Sequence, residues 1–443
     1  MIKKYFLLYI LFLSSSLIYS QNSDTTYYSG NYSFIVDSIN VSGNDKTEKE
    51  IILKELTFRI GDTITPNVLK YNKERIFSLR IFTNVDLIPF KKNNKNFITI
   101  NVKESWYLYP VPFLQLKDKD WDKLSYGLAL LVFNFRGRNE TLIFKGALGF
   151  DPSLSLSYRI PYINYNNNIS LKTSLSIQKV KNKSHIAKKL FGGDFDQKVY
   201  LVDVTFGKRL NIFNNVELTS SFASIESPIF IHGISASDSR IDNLLSLAFN
   251  YSFDNRDLKQ FPSEGFLASS SFQLKGFGID GIAYQVLNFD LRKYLKLNDD
   301  IILKGRIASR YTFGNIVPYY DNSFLGFDER IRGHFKQELE GRNSYISSLE
   351  LDYPLLKDIN IDFDFIPIIP KSLLKYRFAI YLQLFTDTGT IQNKNESLSL
   401  KKLNTGYGVG LTFLFLPYNV IRLERAWDEF GNPEWIFNVG VSF

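Results

Sequence analysis

From Trp106 to Phe443 apolar residues recur at every second position in blocks of roughly ten to fifteen residues, and turn-forming Gly, Asn, Asp and Pro stand between the blocks. A period of two marks a β-strand with two unlike faces. In "YGVGLTFLF", Tyr407, Val409, Leu411, Phe413 and Phe415 share one side, and Gly406, Gly408, Gly410 and Thr412 the other. In "IILKGRIASRYTF", Ile301, Leu303, Ile307, Tyr311 and Phe313 oppose Lys304, Arg306 and Arg310. The same count sends Glu350 and Asp387 to the polar side of their strands. About sixteen blocks occur, from Tyr107–Leu116 to Trp435–Phe443, and each is long enough to cross a bilayer when tilted. A soluble sandwich would hide its apolar faces. Here the apolar faces are continuous and the charges keep to the opposite ones, which predicts an all-β transmembrane barrel of antiparallel strands with a wet lumen. The last block, "EWIFNVGVSF", puts Trp435, Phe437, Val439, Val441 and Phe443 on the lipid side.

Residues 33–104 follow another pattern. "FIVDSINVSGND" is a strand ending in a turn, and in "KTEKEIILKEL" Thr47 and Glu50 have the spacing of a capping box ahead of Ile52 and Leu56. Pro66 suits a first helical turn, with Leu69, Ile76 and Leu79 on one face. "VDLIPFKK" and "FITINVKE" form a hairpin about Asn93 and Asn94. The predicted order is strand, helix, helix, strand, strand: a small α+β domain before a barrel at 105–443.

The first twenty residues change the picture further. "MIKKYFLLYILFLSSSLIYS" has Lys3 and Lys4, an apolar core and small residues toward Ser20, so 1–20 is expected to be a signal peptide and 21–32 a linker. No later run of about twenty apolar residues predicts a helical span. Aromatic residues make up 16% of the chain, suiting interfacial girdles, and the formal charge of +8 becomes +6 without Lys3 and Lys4. The modest basic excess reads as solvation of loops, with anionic lipid head groups as the alternative contact; outer-membrane lipids are expected around the barrel, and nucleic acid is not an expected partner of an exported chain. There is no cysteine, only three histidines and no serine-elbow motif, so no catalytic, cofactor or metal site is expected.

If the first barrel strand leaves the periplasm, the short "GRN" and "LNDD" turns are periplasmic, and the long segment Gly314–Asn343 is an outer loop carrying "FLGFDERIRGHF". The front module, with "VSGNDKTEKEIILKEL" and "ERIFSLRIFTNVDL", resembles a POTRA domain. Ile331-Arg332-Gly333-His334-Phe335 resembles the signature loop of the BamA/TamA superfamily, with His334 where that family has an aromatic. "FDNRDLKQFPSEGF", with Asp254, Arg256, Pro262 and Gly265, is similar to a further segment of the family. The resemblance implies that the loop folds back into the barrel and that Arg332, beside Gly333, is held by Glu350 and Asp387. It also implies a client-recruiting sheet edge on the POTRA domain, expected at Phe97, Thr99 and Asn101. Trp435, Phe437 and Phe443 become a terminal assembly signal. The expected role is insertion or translocation of proteins at the outer membrane, with unfolded clients and accessory factors as partners. A secretion pore for one dedicated substrate and a passive barrel are the alternatives.

Pro110 and Pro112 lie two apart in the first barrel strand, so both missing amide donors fall on one edge. That edge is expected to face the terminal strand, with Gly440 in the opposite wall, giving a seam short of hydrogen bonds.

Overall fold

The computed structural model describes residues 25–443 except 117–123, 328, 364 and 366–373, so the expected signal peptide lies outside the described residues. The front domain contains β1 (Thr25–Tyr27), β2 (Phe34–Ile35), β3 (Ser38–Ser42), α1 (Lys49–Leu53), β4 (Thr63–Ile64), α2 (Pro66–Phe77), β5 (Phe82–Lys92) and β6 (Lys95–Glu104). Alternate residues Val85, Ile98, Ile100 and Val102 turn one sheet face onto Ile51, Ile52, Leu69 and Ile76 of the helices. Pro66 opens α2, where its missing N–H costs nothing. The Thr47–Glu50 capping box does not form. Thr47 turns its hydroxyl to Glu104 instead, because the end of β6 lies beside it.

Two expectations for this domain need correction. The sheet runs β1-β5-β6-β3, so β6 is an inner strand: Phe97, Thr99 and Asn101 pair with Ser38, Asn40 and Ser42 on one side and with Phe90, Ile88 and Asp86 on the other. They cannot offer a free edge. The parallel β3 claims it, a pairing between segments about sixty residues apart that local alternation does not encode. Also, part of the expected linker is strand β1, paired with β5.

The barrel comprises β7 (Leu108–Leu116), β8 (Leu124–Phe135), β9 (Glu140–Gly149), β10 (Ser153–Asn164), β11 (Ile169–Lys181), β12 (Asp196–Arg209), β13 (Asn214–Glu226), β14 (Ile241–Asp254), β15 (Gly265–Lys275), β16 (Tyr284–Lys296), β17 (Ile302–Gly314), β20 (Asn343–Asp362), β21 (Lys375–Gln392), β22 (Asn404–Leu416), β23 (Asn419–Asp428) and β24 (Pro433–Val439). Between β17 and β20 the outer loop forms a small hairpin, β18 (Ser323–Leu325) with β19 (Leu339–Gly341). All sixteen barrel strands belong to one sheet, each antiparallel to its chain neighbour, with β7 and β24 at its two ends. Ile307, Phe206, Ile177 and Leu384 stand exposed on the outer face, while Lys304, Glu350, Asp387 and Glu424 are buried on the inner one. β20 and β21 extend far beyond the others as a hairpin reaching Asp362 and Lys375. One outer helix, α3 (His185–Phe191), interrupts the all-strand reading; Ser184 caps it, and Ala187 packs on Phe195 and Ile234.

The front domain is docked against the turns at one end of the barrel, those following β10, β14 and β22. Lys54 donates to Tyr165 O and Asn168 Oδ1, Tyr71 to Asn255 O, and Arg80 to the carbonyls of Pro417 and Tyr418. Glu55 sits between Arg75 and Arg209, at 2.9 and 2.8 Å. Burial pushes the Glu55 carboxyl up, but the two guanidiniums outweigh it and hold the group below its ordinary value. The domain's apolar core runs without a break into the lumen through Leu258, Phe261, Leu414 and Val420.

Candidate functional site

The outer loop descends into the lumen and presents Arg332 to three strands. Its Nε and Nη2 donate to the two oxygens of Asp387 on β21, at 2.7 and 2.8 Å, a planar fork matched to one carboxylate. Its Nη1 donates to Glu350 on β20 at 3.1 Å and to Glu424 on β23 at 3.0 Å, and its guanidinium lies 3.7 Å over the Phe385 ring. The backbone N–H of Arg332 also donates to Asp387. All three carboxylates are nearly inaccessible to water, so each needs its cations. Lys304 serves Glu350 and Asp352, lying over the Phe261 ring at 3.7 Å, and Arg422 serves Glu424 at 2.9 Å.

Gly333 makes the close approach possible. Its φ is 98°, and a Cβ there would lie 2.6 Å from Trp427 O. Across from it, a Cβ on Gly406 of β22 would lie 1.7 Å from Arg332 O, so Gly406 is the point of β22 on which the loop rests. The N–H groups of Gly333 and Phe335 both donate to Glu434. Phe335 fills the apolar contact with Phe385, Ala426 and Ile436, while His334 turns to Glu429. The structure therefore brings Arg332, Gly333, Glu350 and Asp387 together. It adds Glu424, Glu434 and Gly406, which the sequence reading missed; parity alone marks Glu424 as inward, because Leu423 beside it faces lipid.

The seam is the second feature. The N–H of Phe133 donates to Tyr107 O at 2.8 Å, which sets the bonded pairs of the β7–β8 ladder at odd residues of β7. The amide positions of Leu108, Pro110, Pro112 and Leu114 therefore point to the free edge, where two of the four have no donor. On the other side, the N–H of Gly440 donates to Val420 O, so Trp435, Phe437 and Val439 direct their backbone groups to the free edge of β24. Among the described residues no ladder joins β7 to β24. The base of the seam is held by side chains: the hydroxyls of Ser105, Tyr109 and Tyr418 form one cluster.

Trp435 and Phe437 are on the lipid face, each more than half exposed. Phe443 is not, which corrects the expected placement. At Gly440, φ 111°, the chain leaves the strand plane and turns inward. Val441 packs on the lumen cluster, Ser442 reaches Glu350, and Phe443, 6% exposed, accepts a hydrogen bond from Tyr294. The "FDNRDLKQFPSEGF" turn likewise folds inward, with Arg256 on Asp254 and Phe261 against Tyr381.

A sixteen-stranded barrel, a loop seated in its lumen and a docked α+β domain define a class of membrane protein. Residues 134–443 match the Omp85 superfamily domain and residues 34–105 a POTRA domain, described as the surface antigen variable number repeat. The chain belongs to the Omp85 superfamily and carries one POTRA repeat. Among solved structures it is similar to BamA from Haemophilus ducreyi lacking POTRA domains 1-3, at 18% identity and TM-score 0.55, covering 94% of this chain and 89% of that one. CdiB from Escherichia coli matches at 12% identity and TM-score 0.56, covering 91% and 75%. At such identities the likeness is one of fold.

Proposed function

We propose that this barrel sits in the outer membrane of a Gram-negative bacterium, with its POTRA domain in the periplasm, and helps unfolded client proteins insert into or cross that membrane. The observation that carries this reading is the seam: β7 and β24, the two end strands of the sheet, share no ladder among the described residues, and the edge of β7 is stripped of two donors by Pro110 and Pro112. A sheet that leaves one edge unpaired keeps a template for a client strand. The free edge of β3, Ser38–Ser42, is the recruiting edge of the POTRA domain, and accessory factors dock there too. Arg332 and its three carboxylates hold the loop as a lumen plug while the wall opens. Trp435, Phe437 and Phe443 act as the chain's own assembly signal before the barrel forms. The work is binding and guidance, with no covalent step.

A second reading, export of one dedicated substrate through the lumen, draws on two polar chambers of about 890 and 400 Å³, the first bordered by Phe327 and Glu329 of the loop and the second by Glu55 and Arg80 of the POTRA domain. Depletion of the protein followed by a census of outer-membrane and secreted proteins separates the readings. Loss of many barrel proteins supports insertion, and loss of one secreted protein supports export. An unchanged census overturns both and leaves a passive barrel.

A further inference from the structure

The charges lining the lumen are divided unevenly between its two halves. On the far wall the cations are neutralised, even where two face each other. Arg292 on β16 and Arg306 on β17 are direct cross-strand partners, and Asp290 bridges them at 2.7 and 2.9 Å. Like charges directly opposed in a sheet destabilise it unless something compensates. The wall nearest the first strand contains a second such pair, Arg159 on β10 directly opposite Lys172 on β11. Both face the lumen, since Leu154, Leu156, Leu175 and Ile177 take the lipid side of the same strands. Neither makes an ion pair of 4 Å or less among the described residues, and both are exposed to the water of the lumen.

The positions a bridging carboxylate would fill hold hydroxyls. The inward neighbours on the two strands are Ser157 and Ser170, and the flanking cross-strand positions are Thr141 and Thr205. The nearest carboxylates on this wall are one step further off: Asp203, which accepts from Ser174, and Glu217, beside Gly207. With hydroxyls rather than a carboxylate next to them and no ion pair of their own, the two cations make a site for an anion from outside the fold. Arg159 and Ser170 line the chamber of about 400 Å³ between the POTRA domain and the barrel, so the site opens to the periplasmic mouth.

We propose that Arg159 and Lys172 form an anion site in the periplasmic half of the lumen, and that its occupant is a carboxylate of an extended client segment entering from the POTRA side. The occupant rests on the client-handling reading above; the site does not.

The chain has no cysteine, so a single one can report the local potential. Thr141→Cys in the full-length protein is labelled with an anionic and a cationic methanethiosulfonate, and Ser271→Cys in the upper chamber is the control. The anionic-to-cationic rate ratio at position 141 exceeds the control by about tenfold, from two nearby positive charges in water. Arg159→Gln with Lys172→Gln brings the ratio down to the control value, with heat-modifiable migration unchanged to show an intact barrel. A ratio equal to the control, a ratio insensitive to the double variant, or no reaction with either reagent overturns the site. A polyglutamate peptide of about twenty residues slows labelling at 141 and polylysine does not. Equal effects of the two peptides, with the reagent ratio intact, overturn the occupant alone.

Discussion

Removing the side chain of Arg332 tests whether the loop is locked by charge. Its guanidinium makes four hydrogen bonds to three buried carboxylates. In Arg332→Ala, Glu350 retains Lys304 and Glu424 retains Arg422, but Asp387 is left with no cation among the described residues. Breaking a buried pair from one side costs about 3–5 kcal/mol, and the two remaining cations place this case near the lower figure. About 3 kcal/mol corresponds to roughly a hundredfold in the equilibrium between seated and released loop. Hydrogen exchange reads this directly, because the amides of Arg332, Gly333 and Phe335 donate to Asp387 and Glu434 across the lock. Their protection falls about a hundredfold while the strand amides stay unchanged. Arg332→Lys keeps the charge but loses the fork and falls about tenfold. Arg332→Ala with Asp387→Asn recovers part of the loss, since no charge is then orphaned. Unchanged protection in Arg332→Ala, or a double variant worse than the sum of the singles, refutes the charge lock.

Three further outcomes follow from the geometry. Gly406→Ala, which keeps every charge, exposes the same three amides to exchange, because its Cβ meets Arg332 O; full protection would mean the loop does not rest on β22. Pro110→Val with Pro112→Val restores two donors at the free edge, worth about 1 kcal/mol each if they are used. It raises the yield of disulfide cross-links between cysteines placed in β7 and β24, and no rise would deny that the prolines keep the seam open. Docking of the POTRA domain weakens in acid: the folded pKa of Glu55 is depressed, so its contribution is complete above the ordinary value of 4.5 and disappears as pH falls through the lower folded one. Distance measurements between spin labels on α1 and the β10–β11 turn follow this, and Glu55→Gln is released already at neutral pH.

Much of the barrel is legible from alternation. The inward placement of Glu350 and Asp387 follows from counting in twos beside Leu349 and Leu384, and the loop with Arg332 falls between strands because its pattern breaks. The failures share a cause. Phe97, Thr99 and Asn101 look like an edge because β6 is the last strand of its hairpin, and only the arrival of β3 covers them. Thr47 has the spacing of a cap, yet Glu104 from a distant strand takes its hydroxyl. Phe443 continues a perfect alternation that Gly440 interrupts in space.

The sequence by itself determines which face of each strand each residue occupies, because side chains alternate by covalent geometry whatever the strand pairs with. Which edges remain unpaired, which third carboxylate reaches Arg332, and where the tail goes depend on strands and turns far apart in the chain. Those contacts exist only once the sheet has curled on itself, and tertiary structure decided them.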